Sequence, residues 1–168
     1  MIRHKLSGVG AAMITPFTAD GRIDYEALAS TVDYVIEGGA DYIVALGTTA
    51  ETPTLYMPER AVIAMFISNH IAGRVPLVIG VGGNSTSEVL DQLREFDLRR
   101  ADAILSVTPY YNKPSQEGLY QHFRTVSEHS PVPVILYNIP GRAGVNMSDE
   151  TTLRIARDFG NVIGVKEA

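Results

Sequence analysis

Pro133-Val134-Ile135-Leu136-Tyr137 is the stretch on which the fold turns: an apolar run opened by a proline and followed by the polar Asn138. A short continuous run of this kind, bounded by turn-forming or polar residues, reads as a strand buried on both faces of a parallel sheet. Five more runs share its character: Gly8 to Ile14, Asp41 to Leu46, Pro76 to Val81, Asp102 to Val107 and Val162 to Val165. Their carboxyl ends fall at Thr15, Gly47, Val81, Thr108, Tyr137 and Lys166, at intervals of 32, 34, 27, 29 and 29 residues. That is the length of one strand-helix-strand unit, repeated.

The intervening segments carry helical signals. Asp24 to Glu37 places Leu28, Val32 and Val35 on one face, Pro58 suits the first turn of a helix through Ile71, and Ser87 to Leu98 continues the pattern. Ser115 and Ser148 cap the next two, the former carrying Leu119, Phe123 and Val126. Gly38-Gly39 and Gly73 are the expected stops. An array of β-α units makes an open doubly wound sheet or a closed barrel. Near-equal spacing and the lack of a dinucleotide fingerprint favour a (β/α)8 TIM barrel. A barrel needs eight strands, so residues 1–168 are expected to be the N-terminal part of a single barrel domain, with strands 7 and 8 outside this sequence.

Composition narrows the function. Hydrophobic residues are 45% and charged residues 20% of the 168, which fits a globular core. A net charge of −5 argues against a nucleic-acid binder. The absence of cysteine removes disulfides, thiolate catalysis and cysteine-ligated zinc, and fits a cytoplasmic location. No window approaches the ~20 apolar residues of a membrane helix, so no membrane association is expected. The Asn-x-Ser/Thr matches at Asn84 and Asn146 then read as accidental. His70, His122 and His129 lack metal-ligand spacing, and no metal site is expected.

In α/β barrels the chemistry sits at the carboxyl ends of the strands. Lys166 ends the last run. Strict alternation puts it on the face of Gly164 and Val162; an ammonium held there among apolar groups would have a lowered pKa and act as an amine nucleophile towards a carbonyl. A rim lysine whose head reaches water is the plainer alternative. Tyr137 is a candidate proton carrier or simply a half-buried aromatic. Thr48 and Thr49 offer a carboxylate cradle but also suit an ordinary turn, and Arg142 is a two-pronged carboxylate grip or a solvated loop residue. The adjacent Tyr110 and Tyr111 are awkward to bury within one subunit and suggest a partner copy.

These strand ends together resemble the dihydrodipicolinate synthase family, within the N-acetylneuraminate lyase superfamily of class I aldolases. The likeness runs from Val9 to Ala168. It rests on Ile14-Thr15-Pro16-Phe17, Gly47-Thr48-Thr49-Ala50-Glu51, the block from Val107 through Thr108-Pro109-Tyr110-Tyr111-Asn112 to Gly118, Tyr137-Asn138-Ile139-Pro140-Gly141-Arg142, and Gly164-Val165-Lys166-Glu167. The resemblance implies that Lys166 forms a Schiff base with pyruvate. It further implies that Tyr137, Thr49 and Tyr111 form a proton relay, with Tyr111 supplied across a tight dimer interface. Thr48 and Thr49 would hold the pyruvate carboxylate, and Arg142 that of L-aspartate-4-semialdehyde. The implied reaction opens lysine and diaminopimelate biosynthesis, needs no cofactor because the protonated imine is the electron sink, and runs in a tetramer made of tight dimers. Asn84, Glu88 and Tyr110 match an allosteric lysine cleft, but Met57 stands where inhibited members carry histidine, so feedback inhibition is not expected. Ala50 replaces the family's usual glycine, which is tolerable only without positive φ. The other readings are a related aldolase acting on a 2-oxo-3-deoxy sugar acid or sialate, and an inactive barrel fragment.

Overall fold

The computed structural model describes residues 5–168, and forms two compact units. The first comprises residues up to Gly80 together with Phe96–Asp102. It runs β1 (Gly10–Ala12), α1 (Tyr25–Glu37), β2 (Tyr42–Ala45), two 3-10 turns (Thr48–Ala50 and Thr52–Thr54), α2 (Met57–Ile71) and β3 (Leu77–Gly80). Strand β1 pairs with β2, and β2 with β3, all parallel. Helix α1 starts where Asp24 accepts a hydrogen bond from the Ala27 N–H at 2.9 Å, and it buries Leu28 and Val32. At the start of α2, with Pro58 in its first turn, the Glu59 carboxylate accepts from the Tyr56 N–H at 2.8 Å. That helix ends on Ala72 in the left-handed region, one residue before the glycine expected to stop it.

The second unit comprises Val81–Glu95 and Ala103–Ala168. It contains α3 (Thr86–Glu95), β4 (Ala103–Val107), α4 (Gln116–His129), β5 (Val134–Asn138), the single turn α5 (Pro140–Ala143), α6 (Asp149–Asp158) and β6 (Val162–Glu167). Strand β4 pairs with β5 and β5 with β6, again parallel and in chain order. Ser115 and Ser148 cap α4 and α6 as expected, and Leu119, Phe123 and Val126 are all buried. Helix α3 stops at Glu95, short of Leu98: Phe96 and Leu98 are buried, but in the first unit, where the chain leaves the helix to pack them. Helix α6 is held to α4 by Arg154, which lies 3.5 Å over the Tyr120 ring and pairs with Glu117 at 2.6 Å. The Tyr120 hydroxyl donates to Asp158 at 2.7 Å.

Every strand expected from the apolar runs is present, each within a few residues of its expected span. Neighbours in each unit follow chain order, unlike a doubly wound sheet, where the strand order reverses at the switch point.

One glycine position is fixed by close approach. A Cβ on Gly80 would lie 2.0 Å from the Leu46 carbonyl oxygen, a backbone atom that cannot rotate away. Gly80→Ala should therefore destabilise the protein by about 1–3 kcal/mol, the usual range for overpacking, measured as a lower denaturation midpoint. A buried histidine sets a pH dependence. His122 is buried against Phe123, its Nδ1 2.8 Å from the Thr86 hydroxyl, and burial pushes its imidazole down to about 4. An unfolded imidazole takes up its proton near 6.5, so between those values the unfolded chain binds more protons and stability falls as pH falls. The loss between pH 7 and pH 4 should be about 3 kcal/mol. In urea titrations at the two pH values, His122→Gln should lose stability over that interval by correspondingly less.

Candidate active site

In the second unit, strand pairing decides which residues meet. Tyr137 falls opposite Lys166, and Asn138 opposite Glu167. The register shifts by one residue between Val134 and Ile135, so Val162 lies opposite Val134 while Gly164 lies opposite Ile135, and Ile163 is left out of the pairing. Strict alternation therefore fails at this point: Lys166 keeps Gly164 on its face but not Val162. The lysine is also exposed rather than enclosed by apolar groups. Its Nζ lies 4.4 Å from the centroid of the buried Tyr137 ring, so the two side chains meet on one face.

Asn138 braces this pair. It is 2% exposed, and its side chain uses both ends. The carbonyl Oδ1 accepts from the Met147 N–H at 3.0 Å, which turns Nδ2 towards Asn146 Oδ1 at 2.7 Å and Glu167 Oε1 at 2.8 Å. The Asn138 backbone carbonyl accepts from the Ala168 N–H at 3.1 Å. Gln116 of α4 grips the same loop, donating to the Asn146 carbonyl at 2.8 Å and accepting from the Ser148 N–H at 2.9 Å. None of Asn138, Asn146 and Gln116 is among the site residues expected from the sequence. The signal was there in Asn138, a polar residue closing an otherwise apolar strand one place beyond Tyr137.

Arg142 sits on α5, exposed, and its guanidinium makes no hydrogen bond or ion pair among the described residues. The turn ends on Gly144 at φ +72°, a backbone conformation suited to glycine. Tyr111 is 86% exposed at φ +68°, and the Asn112 N–H donates to the Tyr110 carbonyl at 2.7 Å, closing a γ-turn of the rare, strained hand. Of the expected allosteric residues, Tyr110 is half-buried in this turn, Asn84 accepts at its backbone carbonyl from Asn112 Nδ2 at 2.7 Å, and Glu88 lies in the first turn of α3.

In the first unit, Thr48 and Thr49 follow β2 in a 3-10 turn, both exposed, with hydroxyls that bond to nothing among the described residues. The turn is built from beneath. Thr52 Oγ1 donates to the carbonyls of Leu46 and Gly47, each at 3.0 Å, and the buried Thr15 hydroxyl donates to the Ala50 carbonyl at 2.8 Å. Positive φ falls on Leu46 and Glu51, not on Ala50, so the alanine is compatible with its place. Met57 begins α2. A cavity of about 650 Å³ lies at the opposite, amino end of β3, with Arg74 and Asp102 in its wall. Arg74 is already committed to Asp33 at 2.7 Å and to the last carbonyls of α2, and Asp102 to the Leu77 N–H. Among the described residues no group of three or more acidic or histidine side chains is placed to hold a metal, and no helix is long and apolar enough to cross a membrane.

These features define a class: an α/β chain of parallel strands with a lysine and a tyrosine meeting at the carboxyl ends of two neighbours. The Dihydrodipicolinate synthetase family matches residues 5–168. A 4-hydroxy-tetrahydrodipicolinate synthase of Parabacteroides distasonis is 56% identical over 163 residues, 97% of this chain and 55% of that protein. The crystal structure of a chloride-inhibited dihydrodipicolinate synthase from Acinetobacter baumannii complexed with pyruvate is 43% identical, with a TM-score of 0.92 over 96% of this chain and 55% of that one. A structure described as the first monomeric dihydrodipicolinate synthase variant matches with a TM-score of 0.91 at 43% identity, over 96% of this chain and 53% of that one. The chain belongs to the dihydrodipicolinate synthetase family. Its fold is that of the first six strands of a (β/α)8 barrel, and it spans about half the length of the relatives it matches.

Tyr111→Gly should relieve the γ-turn and raise stability by about 1 kcal/mol, the strain of a non-glycine residue at positive φ less the added freedom of the unfolded chain. Thermal denaturation of the two proteins checks the sign.

Proposed function

We propose that the protein acts as a 4-hydroxy-tetrahydrodipicolinate synthase, condensing pyruvate with L-aspartate-4-semialdehyde. The observation that carries this reading is Lys166 Nζ at 4.4 Å from the Tyr137 ring centroid, at the carboxyl ends of paired strands. The neutral amine of Lys166 adds to the pyruvate C2 carbonyl, and loss of water leaves a protonated imine. The protonated imine takes up the electron pair of a methyl C3–H bond, so that proton leaves, a C2–C3 double bond forms and the nitrogen becomes the neutral amine of an enamine. The enamine carbon attacks the semialdehyde carbonyl. The amine of the bound substrate then closes on the imine carbon, and the Lys166–carbon bond breaks to free the product. Tyr137 supplies and accepts protons at the adduct, with Thr49 and Tyr111 completing the relay.

Thr48 and Thr49, whose hydroxyls are unengaged among the described residues, suit the pyruvate carboxylate, and the exposed Arg142, unpaired among the described residues, suits the semialdehyde carboxylate, which it can grip with two parallel hydrogen bonds. On the family resemblance, Arg142 favours the synthase over the sialate-cleaving aldolases, which lack that arginine. The exposed Tyr111 supports a homo-oligomer in which a partner copy covers it, a tetramer of tight dimers; the monomeric variant among the relatives makes that assembly a question for sedimentation. The reading places the enzyme in the cytoplasm, without a cofactor, and free of lysine inhibition because Met57 departs from the inhibited pattern.

Borohydride reduction with pyruvate, using the protein as its gene encodes it, should leave a stable adduct on the peptide containing Lys166, and the enzyme should consume aspartate-4-semialdehyde. Trapping with consumption only of a sugar-acid aldehyde would assign the alternative aldolase; no trapping would overturn both. Arg142→Ala should trap pyruvate normally but raise KM for the semialdehyde about 10- to 100-fold, the loss of a charged hydrogen-bonded pair.

A further inference from the structure

We infer that Asn138 is a positioning residue for the reaction, holding Lys166 and Tyr137 in the register that lets them act on one substrate, through its hydrogen bond to Glu167. This rests on the lyase reading above. Ladder bonds alone leave Lys166 free to slip along β5 unless a contact beyond the ladder holds it. Asn138 is that hold. Its Nδ2 reaches the side chain of Glu167, the residue directly after the lysine, at 2.8 Å. Its second N–H is taken by Asn146 at 2.7 Å and its carbonyl by the Met147 N–H at 3.0 Å. The amide therefore joins three segments: the end of β5 beside Tyr137, the end of β6 beside Lys166, and the loop that follows Arg142.

The chemistry of the amide is specific to this role. Two oxygen acceptors and one N–H donor surround it, and among short side chains only an amide offers two donors and an acceptor together. A carboxylate at position 138 would face the Glu167 carboxylate and lose both donated bonds. An apolar side chain would leave a main-chain N–H and two side-chain oxygens without their partner, in a place where the asparagine itself is buried. Glu167 needs only to accept, so a neutral amide can stand in for it. Its charge is not what the contact uses.

The test measures kcat, KM and borohydride trapping for Asn138→Ala, Glu167→Ala and Glu167→Gln alongside the unaltered protein. Because Asn138 is buried and Asn138→Ala risks misfolding, the exposed Glu167 gives the second route to the same bond. Glu167→Ala should lower kcat and the trapping rate about 10- to 100-fold, the penalty for misplacing reacting groups by about an ångström, with KM for pyruvate within about twofold. Asn138→Ala should do the same wherever it folds. Glu167→Gln should restore kcat to within about threefold, which a loss of charge or of general stability would not do. If Glu167→Ala keeps full kcat while the unaltered protein traps pyruvate, the positioning role is wrong and the lyase reading stands. If Glu167→Gln is as impaired as Glu167→Ala, the charge matters and the hydrogen-bond role is likewise overturned. If the unaltered protein traps no pyruvate, both fall.

Discussion

The pairing of β5 with β6 is the constraint on which the rest of this chain's chemistry hangs. Parallel pairing fixes which side chains share a face, and one step of slip would send Lys166 to the opposite face from Tyr137. Main-chain bonds alone specify spacing, not position along the ladder. Position is set here by what flanks the ladder: buried Val134 and Leu136 on one side, and the Asn138 amide at the end. The apolar core and the polar clamp thus act on the same variable. Helix α6, pinned to α4 by Arg154 and Tyr120, delivers β6 into that position.

The remaining groups stand on backbone held away from its relaxed shapes. Of the five non-glycine residues at positive φ among the described residues, Leu46, Glu51, Tyr111 and Lys113 lie in loops that follow strands, while Ala72 merely ends a helix. Such conformations cost about 1–3 kcal/mol each and persist only where the surroundings dictate them. At Leu46 the surroundings are the Thr52 hydroxyl and the bare Cα of Gly80. At Tyr111 a backbone bond to the Ala143 carbonyl, at 3.2 Å, ties the turn to the helix carrying Arg142.

Much of this was legible in the sequence, for a physical reason. Apolar runs near 30 residues apart have few ways to be buried, so the strands and the caps at Ser115 and Ser148 follow from pattern, while the joining of Tyr137 with Lys166 in one site rests on the family resemblance. What escaped is what pattern does not encode. The shift at Ile163 depends on how β6 meets β5, so Val162 was assigned to the wrong face. Of the two readings of Lys166, its exposed side chain matches the rim lysine whose head reaches water, not the lysine enclosed by apolar neighbours. Helix α3 was read too long because Phe96 and Leu98 are apolar at helical spacing yet pack after the helix has ended. Asn138 reads in the sequence only as the polar end of an apolar strand and Asn146 only as a stray glycosylation match, and it is their hydrogen bond that joins them.

The unpaired Ile163 gives β6 a single residue of slack. Between Val162, anchored opposite Val134, and Lys166, anchored opposite Tyr137, β6 spends one residue more than β5 does. Losing a residue there lets the strand close up into a regular ladder with both anchors kept. Gaining one has nowhere to go without a second irregularity, and the lysine would be carried past its tyrosine. The segment is thus asymmetric in its tolerance of length, forgiving of a shorter chain and not of a longer one.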